Sequence, residues 1–160
     1  MPAETKNAHK IAYFTKDGVP RHELFDAEAQ EEARKWVDSK IESSQVRRFF
    51  GQAQTDKRKI EIKGKSAVDE DALVAMAFLK AASAYADGRR DDDQIKPLSD
   101  FMAHHAKMVR TKQDFSAFLR HFEAVVAWHS VFKKKDKQER NAKRNSGYSR
   151  HNDERRGGGR

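Results

Sequence analysis

Apolar residues in the last third of the chain recur every three or four positions. This spacing places them on one face of an α-helix, whereas a half-buried strand needs an alternation with a period of two. No stretch of the 160 residues alternates convincingly in that way. The periodicity therefore predicts an all-α protein. The stripe consists of Phe115, Phe118, Leu119, Phe122, Val125, Val126 and His129.

Earlier segments show the same helical period and carry start signals. Asp26 precedes a first helix that runs to about Lys40, and Ser43 or Ser44 starts a second that runs to about Glu61. Each start places a polar residue ahead of the first apolar position, as helix N-termini prefer.

Three more helices follow. Ser66, with Asp69 three residues on, resembles a capping box for a third helix, which is apolar nearly all round and is expected to be the most buried. Pro97 belongs in the first turn of a fourth helix. Thr111, with Asp114 three residues on, caps the fifth.

These signals predict a single five-helix bundle with a short N-terminal arm and a disordered basic C-terminal tail. The arm covers residues 1–25, the helical bundle domain 26–132 and the tail 133–160. The arm has a turn signal at Asp17-Gly18, and its apolar residues are expected to pack on the bundle. The tail has almost no apolar residues. Its first turns are expected to extend the fifth helix, and the part beyond Asn145 cannot bury enough surface to fold alone. The packing residues of the arm are Tyr13, Phe14, Leu24 and Phe25.

Positive charge is concentrated in the tail. Residues 133–160 hold 11 Lys or Arg against 4 Asp or Glu, whereas the preceding 132 residues hold 22 against 21. The overall charge of +8 is therefore mostly a property of the tail. Any polyanion site on the bundle must depend on local clustering of cations.

The second helix divides its residues between two faces. On a helical wheel with Val46 at zero, the apolar Phe49, Phe50, Ala53 and Ile60 fall within roughly 60° of it. Stacking of bases on either phenylalanine is therefore not expected. The opposite face is either an ordinary solvated surface or a phosphate-binding one, with Gly51 allowing close approach. That face holds Arg47, Arg48, Gly51, Thr55, Arg58 and Lys59.

Four segments resemble the small helical subunit of the type III-A CRISPR effector, the Csm complex. The family's order and spacing are kept across roughly residues 13 to 132. Two features depart from its pattern, since Trp128 stands where the family usually has tyrosine and the basic tail after Lys133 lies outside the common core. The segments are GVPRHELFDAEAQEEARKW, SSQVRRFFGQ, AFLKAASAYADGRR and FSAFLRHFEAVVAWHSVF.

The resemblance implies a non-catalytic, RNA-binding small subunit of a cytoplasmic ribonucleoprotein for antiviral defence. Such subunits stack along the effector's backbone filament and hold CRISPR RNA and target RNA through sequence-independent backbone contacts. The implied partners are both RNAs, the backbone and large subunits, and further copies of the chain. The matching RNA-binding residues are Arg47, Arg48, Arg89 and Arg90; Lys57, Arg58 and Lys59 are added because they lie on the same helix.

The residues do not predict an enzyme, a metal site or a cofactor. The chain has no cysteine, no His-Glu-x-x-His and no phosphate-cradling glycine loop. His105 and His129 fall on apolar stripes and are predicted to be core histidines. The acidic stretch 87–93 lacks the EF-hand spacing and is expected to be a solvated loop.

Neither a membrane span nor a signal peptide is expected, because no apolar run approaches the roughly 18 residues that a span needs. The alternative function is a stand-alone helical DNA-binding regulator. It would use Gln45, Arg47 and Arg48 at the start of the second helix as base-contacting residues.

Overall fold

A computed structural model describes the backbone of residues 12–156 and the side chains of residues 12–147. Within this range the chain forms five α-helices and no β-strand, with one isolated bridge between Phe14 and Pro20. Short 3-10 turns occupy His22–Leu24 and Gly64–Ser66. The predicted all-α, five-helix architecture is confirmed. The helices are α1 (Ala27–Asp38), α2 (Ser43–Lys63), α3 (Asp69–Gly88), α4 (Lys96–Met108) and α5 (Lys112–Arg156).

The first half of α5 is the centre of the bundle. It packs against α1, α2 and α3, and α4 closes the other side by packing on α3. Trp36 of α1 is fully buried and meets Phe101 of α4 and Phe122 of α5 edge to face, at centroid distances of 5.2 and 5.9 Å. Such geometry adds to the free energy of apolar burial.

The N-terminal arm packs on the bundle as predicted. Tyr13 and Leu24 are buried, while Phe14 and Phe25 are half-buried against the core. Gly18 has a φ of +78°, a conformation that glycine adopts at little cost, and it allows the predicted turn between Phe14 and Pro20. Residues 1–11 of the predicted arm lie outside the described range.

Four of the predicted helix starts are confirmed, since α1 begins directly after Asp26 and α2 begins at Ser43. Pro97 stands in the first turn of α4, where no amide hydrogen is needed. Thr111 and Asp114 form a reciprocal cap at α5. The Asp114 amide donates to Thr111 Oγ1 at 3.0 Å, and the Thr111 amide donates back to Asp114 Oδ2 at 3.2 Å.

The predicted capping box of Ser66 and Asp69 is wrong. The Ser66 hydroxyl instead donates to the Lys63 carbonyl at 2.7 Å within a 3-10 turn. Helix α3 begins three residues later, and the Val68 amide donates to Asp71 Oδ2 at 2.9 Å. The Ser66 side chain therefore stabilises the turn after α2, whereas the sequence pattern predicted that it would cap α3.

Helix α3 is not the most buried element, contrary to the prediction from its apolar composition. Its inner face is buried, but Val74, Phe78 and Tyr85 are 58%, 67% and 68% exposed. The helix lies at the edge of the bundle with α2 and α4 as its main neighbours, so one apolar face has no partner among the residues that the structure describes. The most buried stretch is instead residues 115–125 of α5.

Helix α5 extends beyond the bundle at its C-terminal end, as predicted for the first turns of the tail. The helix continues to Arg156, although every residue from 137 to 147 is exposed. Lysine, arginine, glutamate and glutamine are good helix formers, and extending an existing helix avoids the cost of nucleation. In the part of the chain that the structure describes, no helix combines the length and hydropathy of a membrane span.

Candidate nucleic-acid interface

The first turns of α2 separate its cations from its aromatic residues. Val46 and Phe49 are buried, and Phe50 packs edge to face on Phe122 of α5 at 5.3 Å between centroids. Arg47 and Arg48 point away from the core and are exposed. The predicted division is therefore confirmed, and both phenylalanines are too occupied by packing to stack on a base.

Gln45 takes part in starting α2. Its Oε1 accepts the Glu42 amide hydrogen at 2.8 Å, which satisfies one of the donors that a helix N-terminus leaves unpaired. The same side chain lies beside Arg48 at the mouth of a groove. This local structure fixes where the α2 arginines emerge from the bundle.

The structure brings cations from two distant segments together. A shallow groove of about 290 Å³ lies between the start of α2 and the end of α3. Arg48 borders it from α2, and Arg89 and Arg90 border it from the turn after α3. We call this the Arg48–Arg89 groove. Its floor is formed by Phe49, Ala86 and Ile95.

The three arginines differ in their availability. Arg90 is held by Asp92 in a bidentate pair, with both N–O distances at 3.0 Å. This pairing raises the pKa of Arg90 and lowers that of Asp92. Arg89 lies over the Tyr85 ring at 5.5 Å, and Arg48 has no ion pair among the described side chains. Arg48 and Arg89 can therefore bind an anion without losing a carboxylate partner.

Arg47 lies outside the groove on the adjoining face of α2. One turn on, a Cβ built at Gly51 would meet no atom within 4 Å, so the surface there is open. Packing within the described chain does not require glycine at this position. The space is compatible with close approach of a ligand backbone, as the sequence suggested.

The three cations further along α2 do not join the groove. Arg48 and Lys59 are separated by about 16 Å along the helix axis. Lys57 is half-buried and pairs with Glu61 at 3.6 Å. Lys59 borders a different groove between α2 and α3, beside Asp56 and Phe78, and Arg58 is exposed. The seven candidate residues thus fall on more than one surface.

A cluster of buried polar rings lies beneath the N-terminal arm. The Tyr13 hydroxyl and His105 Nδ1 form a hydrogen bond of 2.6 Å, and the centroids of the His105 and His121 rings are 5.2 Å apart. Burial, with nearby His121 and His104, holds the pKa of His105 well below its usual value. Burial also lowers the pKa of His121 and of His129.

These histidines are satisfied structural residues, as predicted for His105 and His129. His129 Nε2 donates to the Ile41 carbonyl at 3.0 Å, and His121 Nδ1 donates to the Leu24 carbonyl. The sequence reasoning missed the pairing of His121 with His105. The signal was its position three residues after Phe118, on the same helix face. Among the residues that the structure describes, no three His, Asp or Glu side chains form a group that could hold a metal ion.

One comparison with known proteins gives a match. The family model described as Csm2 Type III-A matches residues 20–135, which is more than half of the chain. The match includes Arg48 and Arg89 and ends where α5 leaves the bundle. The comparisons with curated proteins and with solved structures give no match.

Proposed function

The chain belongs to the Csm2 Type III-A family and is therefore a small subunit of a type III-A Csm complex, in which we propose that it is a non-catalytic RNA-binding subunit. It stacks with further copies along the backbone filament in the cytoplasm. There it holds CRISPR RNA and target RNA through sequence-independent backbone contacts in antiviral defence. Base pairing between the two RNAs supplies the sequence specificity.

The observation that carries the proposal is the convergence of Arg48 and Arg89. They are far apart in sequence, yet they border one open groove and neither is paired with a carboxylate among the described residues. Guanidinium groups bind phosphate oxygens bidentately. The groove is shallow and its floor is apolar. The rings of Phe49 and Phe50 are packed against the core and are not available to a base. This geometry favours contact with a phosphate over recognition of a base.

One groove of this size can contact only one or two phosphates, so a single chain is expected to bind RNA weakly. Copies arranged along a filament would present the same groove repeatedly to one RNA. Linked weak sites bind with a much higher overall affinity than each site alone. The proposed stacking therefore compensates for the small number of cations on each bundle.

The exposed apolar face of α3 supports contact with another protein subunit. Family membership implies association with other subunits of the Csm complex. Val74 and Phe78 are more than half exposed, and apolar side chains offer nothing to a phosphate. We assign this face to a neighbouring protein subunit of the complex, beside the groove that we assign to RNA.

The alternative of a stand-alone DNA-binding regulator has less support. A recognition helix needs free polar side chains in its first turns. Gln45, one of the three residues suggested for base contacts, instead accepts the Glu42 amide hydrogen within the protein. Family membership also places the chain in a multisubunit complex.

The proposal is tested by replacing both groove arginines with alanine. The matched control is Lys65→Ala with Lys107→Ala, which removes the same charge at two exposed sites away from the groove. We expect Arg48→Ala with Arg89→Ala to weaken binding to an unstructured RNA. The salt dependence of binding should fall by about 1.4 in log–log slope, or about 0.7 for each lost phosphate contact.

Both double variants should keep the helicity of the parent chain, because all four positions are exposed. Equal losses in the groove variant and the control would show that only net charge matters. That result would remove the groove from the RNA-binding surface. A reconstituted complex that binds target RNA normally with the groove variant would do the same.

A further inference from the structure

Most of the C-terminal part of α5 lies outside the family match. The match stops at residue 135, whereas the helix continues to Arg156. Residues 137–147 are all exposed, so they contribute nothing to the core. We call residues 133–147 the α5 extension. An explanation for its composition must therefore come from what it presents to solvent.

The base of the extension is attached to the bundle. Arg34 of α1 donates from Nη1 to Asp136 Oδ2 at 3.0 Å, and its guanidinium lies over the Phe132 ring at 4.5 Å. Lys133 approaches Glu42 just before α2, at 3.4 Å. These contacts hold the last bundle turn of α5 against two other helices. The extension therefore leaves the bundle in a defined direction and in continuous helical register.

Helical register collects four of its cations on one side. At about 100° per residue, Lys133, Lys137, Arg140 and Arg144 fall within roughly 60° of one another. They span about 16 Å along the helix axis. The side opposite this basic stripe carries Lys135 and Glu139, whose charges offset each other, among the uncharged Gln138, Ala142 and Asn145.

The cations of the stripe are mostly unpaired, unlike many in the bundle. Among the described side chains, Lys137, Arg140 and Arg144 make no ion pair, whereas Arg21 of the arm and Arg34 and Lys96 of the bundle are each paired with a carboxylate. The helix dipole favours cations only in the last turn. It therefore does not explain a stripe that begins more than twenty residues before the helix end.

We propose that the basic stripe of the α5 extension binds the phosphate backbone of a nucleic acid, as a site separate from the Arg48–Arg89 groove. Binding is independent of base sequence and releases counterions from the phosphates. The proposal goes beyond the proposed function, because Lys137, Arg140 and Arg144 lie outside the family match. An anionic membrane is disfavoured, since an interfacial helix needs an apolar face and Ala142 is the only apolar residue after Phe132 in the extension.

The test compares two triple variants of the full chain with equal charge. The stripe variant is Lys137→Gln, Arg140→Gln and Arg144→Gln. The control is Lys134→Gln, Lys135→Gln and Lys143→Gln, which removes three cations dispersed around the same helix. We expect the stripe variant to lose about tenfold in RNA affinity near 0.1 M salt. Its log–log salt slope should fall by about 2, while the control loses less than half as much.

Single-stranded RNA and an RNA duplex are measured in parallel, to establish which form of the backbone is preferred. Vesicles with 30% anionic lipid are the third probe, and stripe-dependent binding to them would overturn the proposal. Equal losses of RNA affinity in both variants would overturn the proposal too. RNA binding would then depend on the number of cations and not on their collection on one side of the helix. An RNA affinity of the stripe variant equal to that of the parent chain would also overturn the proposal. Circular dichroism checks that both variants keep the parent's helix content.

The test is repeated with Arg48→Ala and Arg89→Ala present. If the two sites are separate, the stripe variant should lower RNA affinity by the same factor in this background. Loss of the stripe effect with the groove effect intact would remove only the extension from RNA binding. Loss of the groove effect with the stripe effect intact would instead contradict the proposed function.

Discussion

Arg48 and Phe49 are neighbours in the chain but have opposite surroundings. Phe49 is 5% exposed and contributes to the core, whereas Arg48 borders an open groove. A helix rotates about 100° per residue, so adjacent side chains readily serve different purposes. Here one residue stabilises the bundle while the next remains available to a ligand, and substitutions at the two positions should affect different measurements.

Single residues also explain what could be predicted of the groove. The outward direction of Arg47 and Arg48 follows from the helical period alone. That Arg48 would meet Arg89 does not follow from the sequence, because it depends on how α2 and α3 pack. The bidentate pair of Arg90 with Asp92 was equally hidden, since any of the three aspartates after it was an available partner.

The buried histidines should make the bundle less stable in acid. Burial lowers the pKa of His105, His121 and His129 in the folded state, while the unfolded chain takes up protons near pH 6.5. The unfolded state therefore binds more protons as the pH falls below about 6.5. The free energy of unfolding should decrease with falling pH, by up to about 1.4 kcal/mol per pH unit for each histidine.

His105→Gln removes one of these titrating groups and keeps an amide near the Tyr13 hydroxyl. We expect this variant to show a shallower loss of stability between pH 7.5 and 5.0 in urea unfolding. His22→Gln is the matched control, because His22 is exposed. If His105→Gln and the parent chain give the same pH dependence, protonation of His105 is not coupled to unfolding.

At the scale of the helix, capping shows where sequence signals succeed. The same pattern, a hydroxyl residue followed by aspartate three positions on, occurs at Ser66 and at Thr111. Only Thr111 forms the reciprocal cap. At Ser66 the turn that ends α2 competes for the hydroxyl, and a local pattern contains no information about that competition.

Alanine substitutions at Thr111 and at Ser66 should have different effects on stability. Thr111→Ala removes the acceptor of the Asp114 amide hydrogen and should cost about 1 kcal/mol of unfolding free energy. Ser66→Ala removes only a hydroxyl on an exposed turn and should cost less than about 0.5 kcal/mol. Chemical denaturation of both variants measures the difference. A larger effect at Ser66 would contradict the helix boundaries given above.

For the whole molecule, the helical period was sufficient to predict the number of helices but not their arrangement. Composition suggested that α3 was central, because its alanines read as core residues. Alanine is small enough for either environment, and Ala77, Ala81 and Ala84 are exposed. The prediction that residues 1–25, 26–132 and 133–160 behave as arm, bundle and tail stays a prediction.

The exposed face of α3 should matter for assembly and not for folding. Val74→Ser with Phe78→Ser should leave the unfolding free energy within about 0.5 kcal/mol, since both side chains are mostly exposed. The same variant should enter a reconstituted Csm complex poorly. Val19→Ser with Val131→Ser is the control, because these valines are also exposed but lie elsewhere. Normal incorporation of the α3 variant would exclude this face from subunit contacts.

The uncovered apolar face of α3 should also affect how isolated chains attract or repel one another in solution. At low ionic strength the charge of +8 keeps separate molecules apart. Added salt shortens the range of that repulsion and leaves the attraction between apolar faces largely intact. The osmotic second virial coefficient should therefore become negative as salt rises, under the conditions that also release bound RNA. High salt should therefore be needed to remove bound RNA during purification, whereas low salt should be needed to prevent aggregation.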